Sequence, residues 1–395
     1  MDRRTLLKAA ALGPVALLRA GSLFAAPASG AKLLIVFLRG GYDAANVLVP
    51  VSSPFYYESR PNIAVAKPGS DANAAITLDA DWGLHPALAA SILPLYERKQ
   101  VAFVPFAGTE DLSRSHFETQ DSIELGQPLG AHRDFQSGFL NRLVGAMSDH
   151  RGMSFTDHLP LIFRGDMEVP NMAMRSLARP GVDARQGEII REMYRGTRLE
   201  SRVNEGFNVR DAVMQDMAGE MEAASRNAIT TKGFELEARR IAKLMGERYD
   251  VGFIDVGGWD THVGEGGNAG YLATRLEELG RGLAGFADEM GPRWNDTVVV
   301  VISEFGRTFR ENGNRGTDHG HGTAYWVMGG GIRGGRIAGE QVRVERATLF
   351  QDRDYPVLNE YRAILAGLTA RMFGLDDARL KAVFPGVISR DLQLI

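Results

Sequence analysis

Short apolar runs recur along the chain between glycine-rich and charged stretches. Leu33–Leu38 (LLIVFL) is continuous and ends in Arg39-Gly40-Gly41-Tyr42-Asp43. A run of that length without alternation predicts a strand buried on both faces. Val101–Pro105, Val251–Val256 (VGFIDV), Thr297–Ser303 (TVVVVIS) and Ala324–Met328 read the same way. Thr297–Ser303 is the strongest, because β-branched residues fill it. Between these runs the spacing turns helical, over His85–Lys99 with Pro86 in its first turn, His116–Leu125, Phe135–Met147 and Tyr361–Phe373. Gly270–Met290 carries its apolar residues at Leu272, Leu276, Leu279, Leu283 and Phe286, one face of a helix. The stretch near residues 183–248 is long, charged and mostly helical. Strands alternating with helices predict an α/β fold with a central, largely parallel sheet flanked by helices. The expected organisation is a single domain over residues 32–395, with the 183–248 stretch as a mainly helical insertion.

The amino terminus follows another pattern. Arg3-Arg4 precede Leu6-Leu7-Lys8, an apolar run extends from Ala9 to Leu18, and small residues gather at Ala25, Ala26, Ala28 and Ser29. Charged, apolar and small residues in that order predict a removable targeting segment over residues 1–28. The arginine pair points to the twin-arginine route, which exports folded proteins. The expected location is therefore periplasmic or extracellular. The apolar run is about half the ~20 residues that a membrane span needs, so no anchor is expected in the mature protein.

Composition narrows the chemistry. A hydrophobic fraction of 44% and a charged fraction of 24% suit a globular protein, and a net charge of -4 argues against nucleic acid as a partner. There is no cysteine. Disulfides, thiolate metal sites and cysteine nucleophiles are thereby excluded, and any metal must be held by carboxylate, imidazole or hydroxyl groups.

Most of the predicted strands end in a glycine-bearing loop with acids or histidines. These loops supply Asp43, then Asp260 and His262, then Glu304, then Asp318, His319 and His321. In open α/β sheets ligands bind outside the carboxyl ends of the strands, so these residues are expected to converge on one edge. Two imidazoles and a carboxylate in Asp318-His319-Gly320-His321 suit a divalent ion, and a hydrogen-bonded polar turn is the alternative. Ser115 with Glu118 three residues on fits a capping box. Its other reading is a serine nucleophile, with Arg114 holding an anionic group. Arg39 and Arg307 also sit beside strand ends, which favours a phosphate, sulfate or carboxylate substrate. His85, just before Pro86, reads as a structural residue at a helix start.

The segments LRGGYDAANVLVP, GLHPAL, SRSHFETQD, GGWDTH, SEFGRTFREN and GTDHGHGTAYWVMGGGIRGG resemble those of the exported proteins of the domain of unknown function 1501 family. The resemblance runs from about residue 32 to the carboxyl end. That family in turn is similar to the alkaline phosphatase and sulfatase superfamily, which implies an alkaline-phosphatase-like core. The resemblance implies Asp43 at one metal, Ser115 or Ser113 as nucleophile with Arg114 and Arg307 on the anion, and Asp260 and His262 at another metal completed by His321 or His319. This chain departs from the pattern in two places. Glu304 is followed by Phe305 where the superfamily has Asp-His, and Asp260 and His262 stand closer than the usual Asp-x-x-x-His. The formylglycine sulfatase motif does not occur. The expected activity is metal-dependent hydrolysis of an anionic small-molecule or polysaccharide ester, phosphate or sulfate, with zinc, calcium or magnesium as the ion. The alternative is a non-catalytic exported binding protein that keeps the fold.

Overall fold

A computed structural model describes residues 30–130, 132–147, 149–174, 184–208 and 233–395. The targeting segment read in residues 1–28 lies outside them. The strands are β1 (Lys32–Leu38), β2 (Leu48–Val49), β3 (Ile76–Thr77), β4 (Gly83–Leu84), β5 (Val101–Gly108), β6 (Gly152–Ser154), β7 (Val251–Val256), β8 (Thr297–Ser303), β9 (Thr323–Met328), β10 (Arg336–Ile337) and β11 (Asn359–Glu360). The large sheet has the order β10-β5-β9-β8-β1-β7-β6, with β11 also on β5, while β2, β4 and β3 form a small antiparallel sheet. Pairings in the large sheet are parallel except those of β9, which runs against both β5 and β8.

The apolar runs behave as two-faced strands. Leu34, Val36 and Leu38 of β1 enter a core with the helices Phe234–Glu247 and Tyr271–Met290. Leu33, Ile35 and Phe37 enter a second core with the helices Phe139–Ala146, Tyr361–Phe373 and Asp377–Val383. Each large apolar side chain buried this way contributes about 1.5–3 kcal/mol. Leu272, Leu276, Leu279, Leu283 and Phe286 form the buried face of Tyr271–Met290, as their spacing requires.

Element ends differ from the sequence pattern for local reasons. The expected His85–Lys99 helix is a short 3-10 turn, Pro86–Leu88, followed by Ile92–Glu97. Pro94 is tolerated only in a first turn, which sets the late start. β5 continues three residues beyond Pro105 because a register shift between Val104 and Ala107 absorbs the missing N–H. Of the stretch near 183–248, Ala184–Tyr194 and Phe234–Glu247 are helices, and residues 209–232 lie outside the described residues.

This topology gathers several loops at one edge of the sheet. Leu38 of β1 aligns with Val256 of β7 and with Ser303 of β8, so the loops that follow these strands leave the sheet side by side. β9 runs the other way, so the loop before it, Asp318–Gly322, arrives at the same edge. β5 is parallel to β8, which brings the start of the His116–Leu125 helix there as well.

Candidate metal centre

At this edge Asp260 is surrounded by imidazoles. His262 Nε2 lies 3.0 Å and His319 Nε2 3.4 Å from its Oδ1, and His116 Nε2 lies 3.6 Å from its Oδ2. His262 Nε2 and His319 Nε2 are 3.1 Å apart. One ligand-capable atom from each of His116, Asp260 and His319 falls within 4.8 Å of the others.

Each ring is held from behind. His116 Nδ1 donates to Glu304 Oε1 at 2.7 Å, His262 Nδ1 to Asp318 Oδ1 at 3.1 Å, and His319 Nδ1 to the Arg114 carbonyl at 2.9 Å. Carboxylate and carbonyl oxygens only accept, so each Nδ1 carries a proton and a neutral ring turns its Nε2 lone pair towards Asp260. His116 Nε2 is buried and has no hydrogen-bond partner. Donors around a tetrahedral ion with ~2.0–2.1 Å bonds stand roughly 3.3–3.4 Å apart, close to the spacing of Asp260, His262 and His319. The donor set therefore fits a divalent cation.

The surrounding charges are consistent with this. Burial opposes ionisation of Asp260, but the hydrogen bond and charge of Arg307 outweigh it and hold the carboxyl below the usual range. Arg307 Nη1 donates to Asp260 Oδ1 at 2.7 Å. Glu304 is fully buried, yet donors from His116, Gln120 and the Gly40 amide keep it ionised, with its pKa lowered. The Glu304 hydrogen bond raises His116, while burial and then the neighbouring His116 lower His319.

The other residues singled out by the sequence have different surroundings. Asp43 is buried in a bidentate ion pair with Arg60. His321 packs on Phe350, and burial followed by the charge of Arg114 pushes it down to about 4. Glu304 and Asp318 meet histidine Nδ1 atoms and orient those rings. Ser115 caps the His116–Leu125 helix through a long 3.5 Å contact from the Glu118 amide, and Ser113 Oγ meets Thr119 Oγ1 at 3.2 Å. Arg114 is bound to Asp354 and Gln351, Arg39 to Asp255, Gln120 and Glu124, and Arg307 to Asp260, Thr317 and Gly40. These arginines are engaged with groups of the protein itself.

His116 was not among the site residues expected from sequence. The available signal was its spacing from Gln120, four residues on and on the same helix face. Both side chains reach Glu304 Oε1, at 2.7 and 2.8 Å. Beside this seam a cavity of about 600 Å³ is lined by Arg39, Gln120, Glu124, Asp157, Arg164 and Asp255 among others, outside the carboxyl ends of β6 and β7.

The family model described as "Protein of unknown function (DUF1501)" matches residues 31–384. The chain belongs to the DUF1501 family. No curated protein matches this DUF1501 member in sequence. Its fold is similar to the lipoteichoic acid synthase LtaP from Listeria monocytogenes, with 9% identity and a TM-score of 0.41 over 93% of this chain and 76% of that one. It is similar to Ps i-CgsB in complex with k-i-k-neocarrahexaose, with 8% identity and a TM-score of 0.38 over 92% of this chain and 75% of that one. It is also similar to a protein in the alkaline phosphatase superfamily from Vibrio parahaemolyticus, with 13% identity and a TM-score of 0.34 over 76% of this chain and 60% of that one.

Proposed function

We propose that this DUF1501 protein is an exported hydrolase of phosphate or sulfate esters that works with one divalent ion held by His116, Asp260, His262 and His319. The observation that carries the reading is the convergence of three Nε2 atoms on one carboxylate, each ring fixed through its Nδ1. Such backing by an acceptor is what metal-ligating histidines have. The imidazole-rich set favours zinc, since calcium and magnesium take oxygen ligands. A bound ion supplies Lewis-acid polarisation of the ester oxygen and activation of a nucleophile.

The chain's own groups divide the remaining work. Arg307 keeps Asp260 ionised and aimed. Glu304 and Asp318 fix the tautomers of His116 and His262. Ser115 directly precedes His116, and its hydroxyl makes only the long capping contact, so it is the nucleophile candidate. The neighbouring cavity receives the rest of the ester. The twin-arginine start at Arg3-Arg4 supports export of a folded protein.

The test is hydrolysis of p-nitrophenyl phosphate and p-nitrophenyl sulfate by protein stripped with chelator and then resupplied with Zn2+. Turnover of either ester, lost on stripping and restored by Zn2+, supports the reading. Equal turnover before and after stripping overturns it. Tight Zn2+ binding without turnover of any phosphate or sulfate ester favours the non-catalytic binding protein.

A further inference from the structure

The two loops that carry Asp260-Thr261-His262 and Thr317-Asp318-His319 are tied together behind the metal centre. Thr261 and Thr317 are both buried. Thr261 Oγ1 donates to Glu265 Oε2 at 3.0 Å, and Thr317 Oγ1 donates to the same oxygen at 2.8 Å. The Thr317 amide donates to the Thr261 carbonyl at 3.0 Å. Glu265 is fully buried, and its Oε1 has no hydrogen-bond donor.

We infer that Glu265 is a positioning residue for the centre, clamping the two ligand-bearing loops together through Thr261 and Thr317. The inference rests on the metal reading above. Glu265 acts as a neutral acid. The Asp43 carboxylate is an electrostatic neighbour of Glu265, and Asp43 is already ionised against Arg60. Two bare carboxylates side by side in a buried space repel, so one proton must lie between them. Burial and the Asp43 charge both place it on Glu265, well above the usual carboxylate range.

The hydrogen bonds then form a continuous chain between the ligand and the core. Arg307 Nη1 donates to Asp260, and Arg307 Nε donates to Thr317 Oγ1 at 3.2 Å. Thr317 Oγ1 donates to Glu265 Oε2, and the Glu265 acid proton goes to Asp43. Arg60 holds Asp43 and donates from Nε to the Phe309 carbonyl at 2.7 Å, which anchors the chain of bonds in the core. A glutamine at position 265 reproduces this pattern, with its carbonyl accepting from both threonines and its amide donating to Asp43. An alanine removes the links to both threonines and to Asp43.

The experiment titrates wild-type, Glu265→Gln and Glu265→Ala proteins with Co2+, read by visible absorption, which reports ligand geometry as well as affinity. Thermal unfolding is followed in parallel. The expected result is wild-type affinity and spectrum for Glu265→Gln, and for Glu265→Ala a loss of about ten- to a hundredfold in affinity with an altered spectrum. Thr317→Val, which removes only the hydroxyl shared by Glu265 and Arg307, is expected to change the spectrum in the same direction and serves if Glu265→Ala fails to fold. An unchanged spectrum and affinity in both Glu265→Ala and Thr317→Val overturns the clamp while leaving the metal reading intact. Equal damage by Gln and Ala in folded protein overturns the neutral-acid clamp. A wild-type protein that binds neither Co2+ nor Zn2+ overturns the metal reading and the clamp with it.

Discussion

The 2.7 Å bond from His116 Nδ1 to Glu304 Oε1 joins the first residue of a helix to the end of the central strand β8. It decides which nitrogen of His116 faces Asp260. The same Glu304 oxygen accepts from the Gly40 amide and from Gln120, each at 2.8 Å, so one buried carboxylate ties the His116–Leu125 helix to the loop after β1. Glu304→Gln keeps the shape and removes the charge. Zn2+ affinity is expected to fall about ten- to a hundredfold, as for loss of a carboxylate behind a metal-bound histidine, with little change in secondary structure. A competition titration against a chromophoric chelator measures this.

Gly40 is expected to tolerate no side chain. Its φ is +123°, and an added Cβ would stand 2.6 Å from the Asp260 amide nitrogen. Gly40→Ala therefore pushes the Asp260 loop outward and strains the amide that donates to Glu304. Weakened Zn2+ binding together with a lowered unfolding midpoint is the expected outcome, read by titration and by thermal melting.

Asp43 and Arg60 form a buried ion pair, and removal of one partner strands the other charge. Asp43→Asn is expected to cost about 3–5 kcal/mol of stability, measured by urea unfolding. The variant tests the assignment of Asp43 to the scaffold, since a group that only bound metal would leave the stability of stripped protein nearly unchanged.

His85 caps the Pro86–Leu88 turn, with Nδ1 accepting from the Ala87 amide at 3.0 Å and Nε2 donating to the Gly267 carbonyl at 2.9 Å. The Nδ1 bond needs the neutral ring, while Nε2 donates in either state. Burial lowers its pKa, against the smaller pull of the Gly267 carbonyl. A histidine with a lowered folded pKa is protonated first in the unfolded chain. Its contribution is therefore present above the ordinary histidine value of about 6.5 and is lost as pH falls below it. His85→Asn, which can still cap, is expected to lose less stability than wild type between about pH 7 and about pH 5. Urea unfolding at the two pH values gives the comparison.

The fold was legible because its strands are uninterrupted apolar runs and its helices keep one apolar face. Leu33–Leu38 needed both faces covered, and Leu272, Leu276 and Leu279 fixed the helix that covers one of them. Residue type at strand ends made Asp260, His262 and His319 legible as neighbours, and the structure brings them together. Roles were less so. Glu304 and Asp318 are acids of the same kind as Asp260, and only the direction of the imidazoles separates a group that faces the centre from one that stands behind it. His116 enters from a helix rather than from a strand end, and His321, two residues after His319, packs on Phe350 instead. Glu265 had no signal at all, because a buried acid in a glycine-rich loop looks in sequence like an exposed one.

The proposed function stands on His116, Asp260, His262 and His319 binding one divalent ion. Calorimetric titration of chelator-stripped protein with Zn2+ tests it most directly, on wild type and on His262→Ala and His319→Ala, with thermal melting as a check on folding. Stoichiometric binding of one ion by wild type, lost or severely weakened in both folded variants, is the predicted result. Absence of binding by wild type, or binding left intact in both variants, contradicts the account.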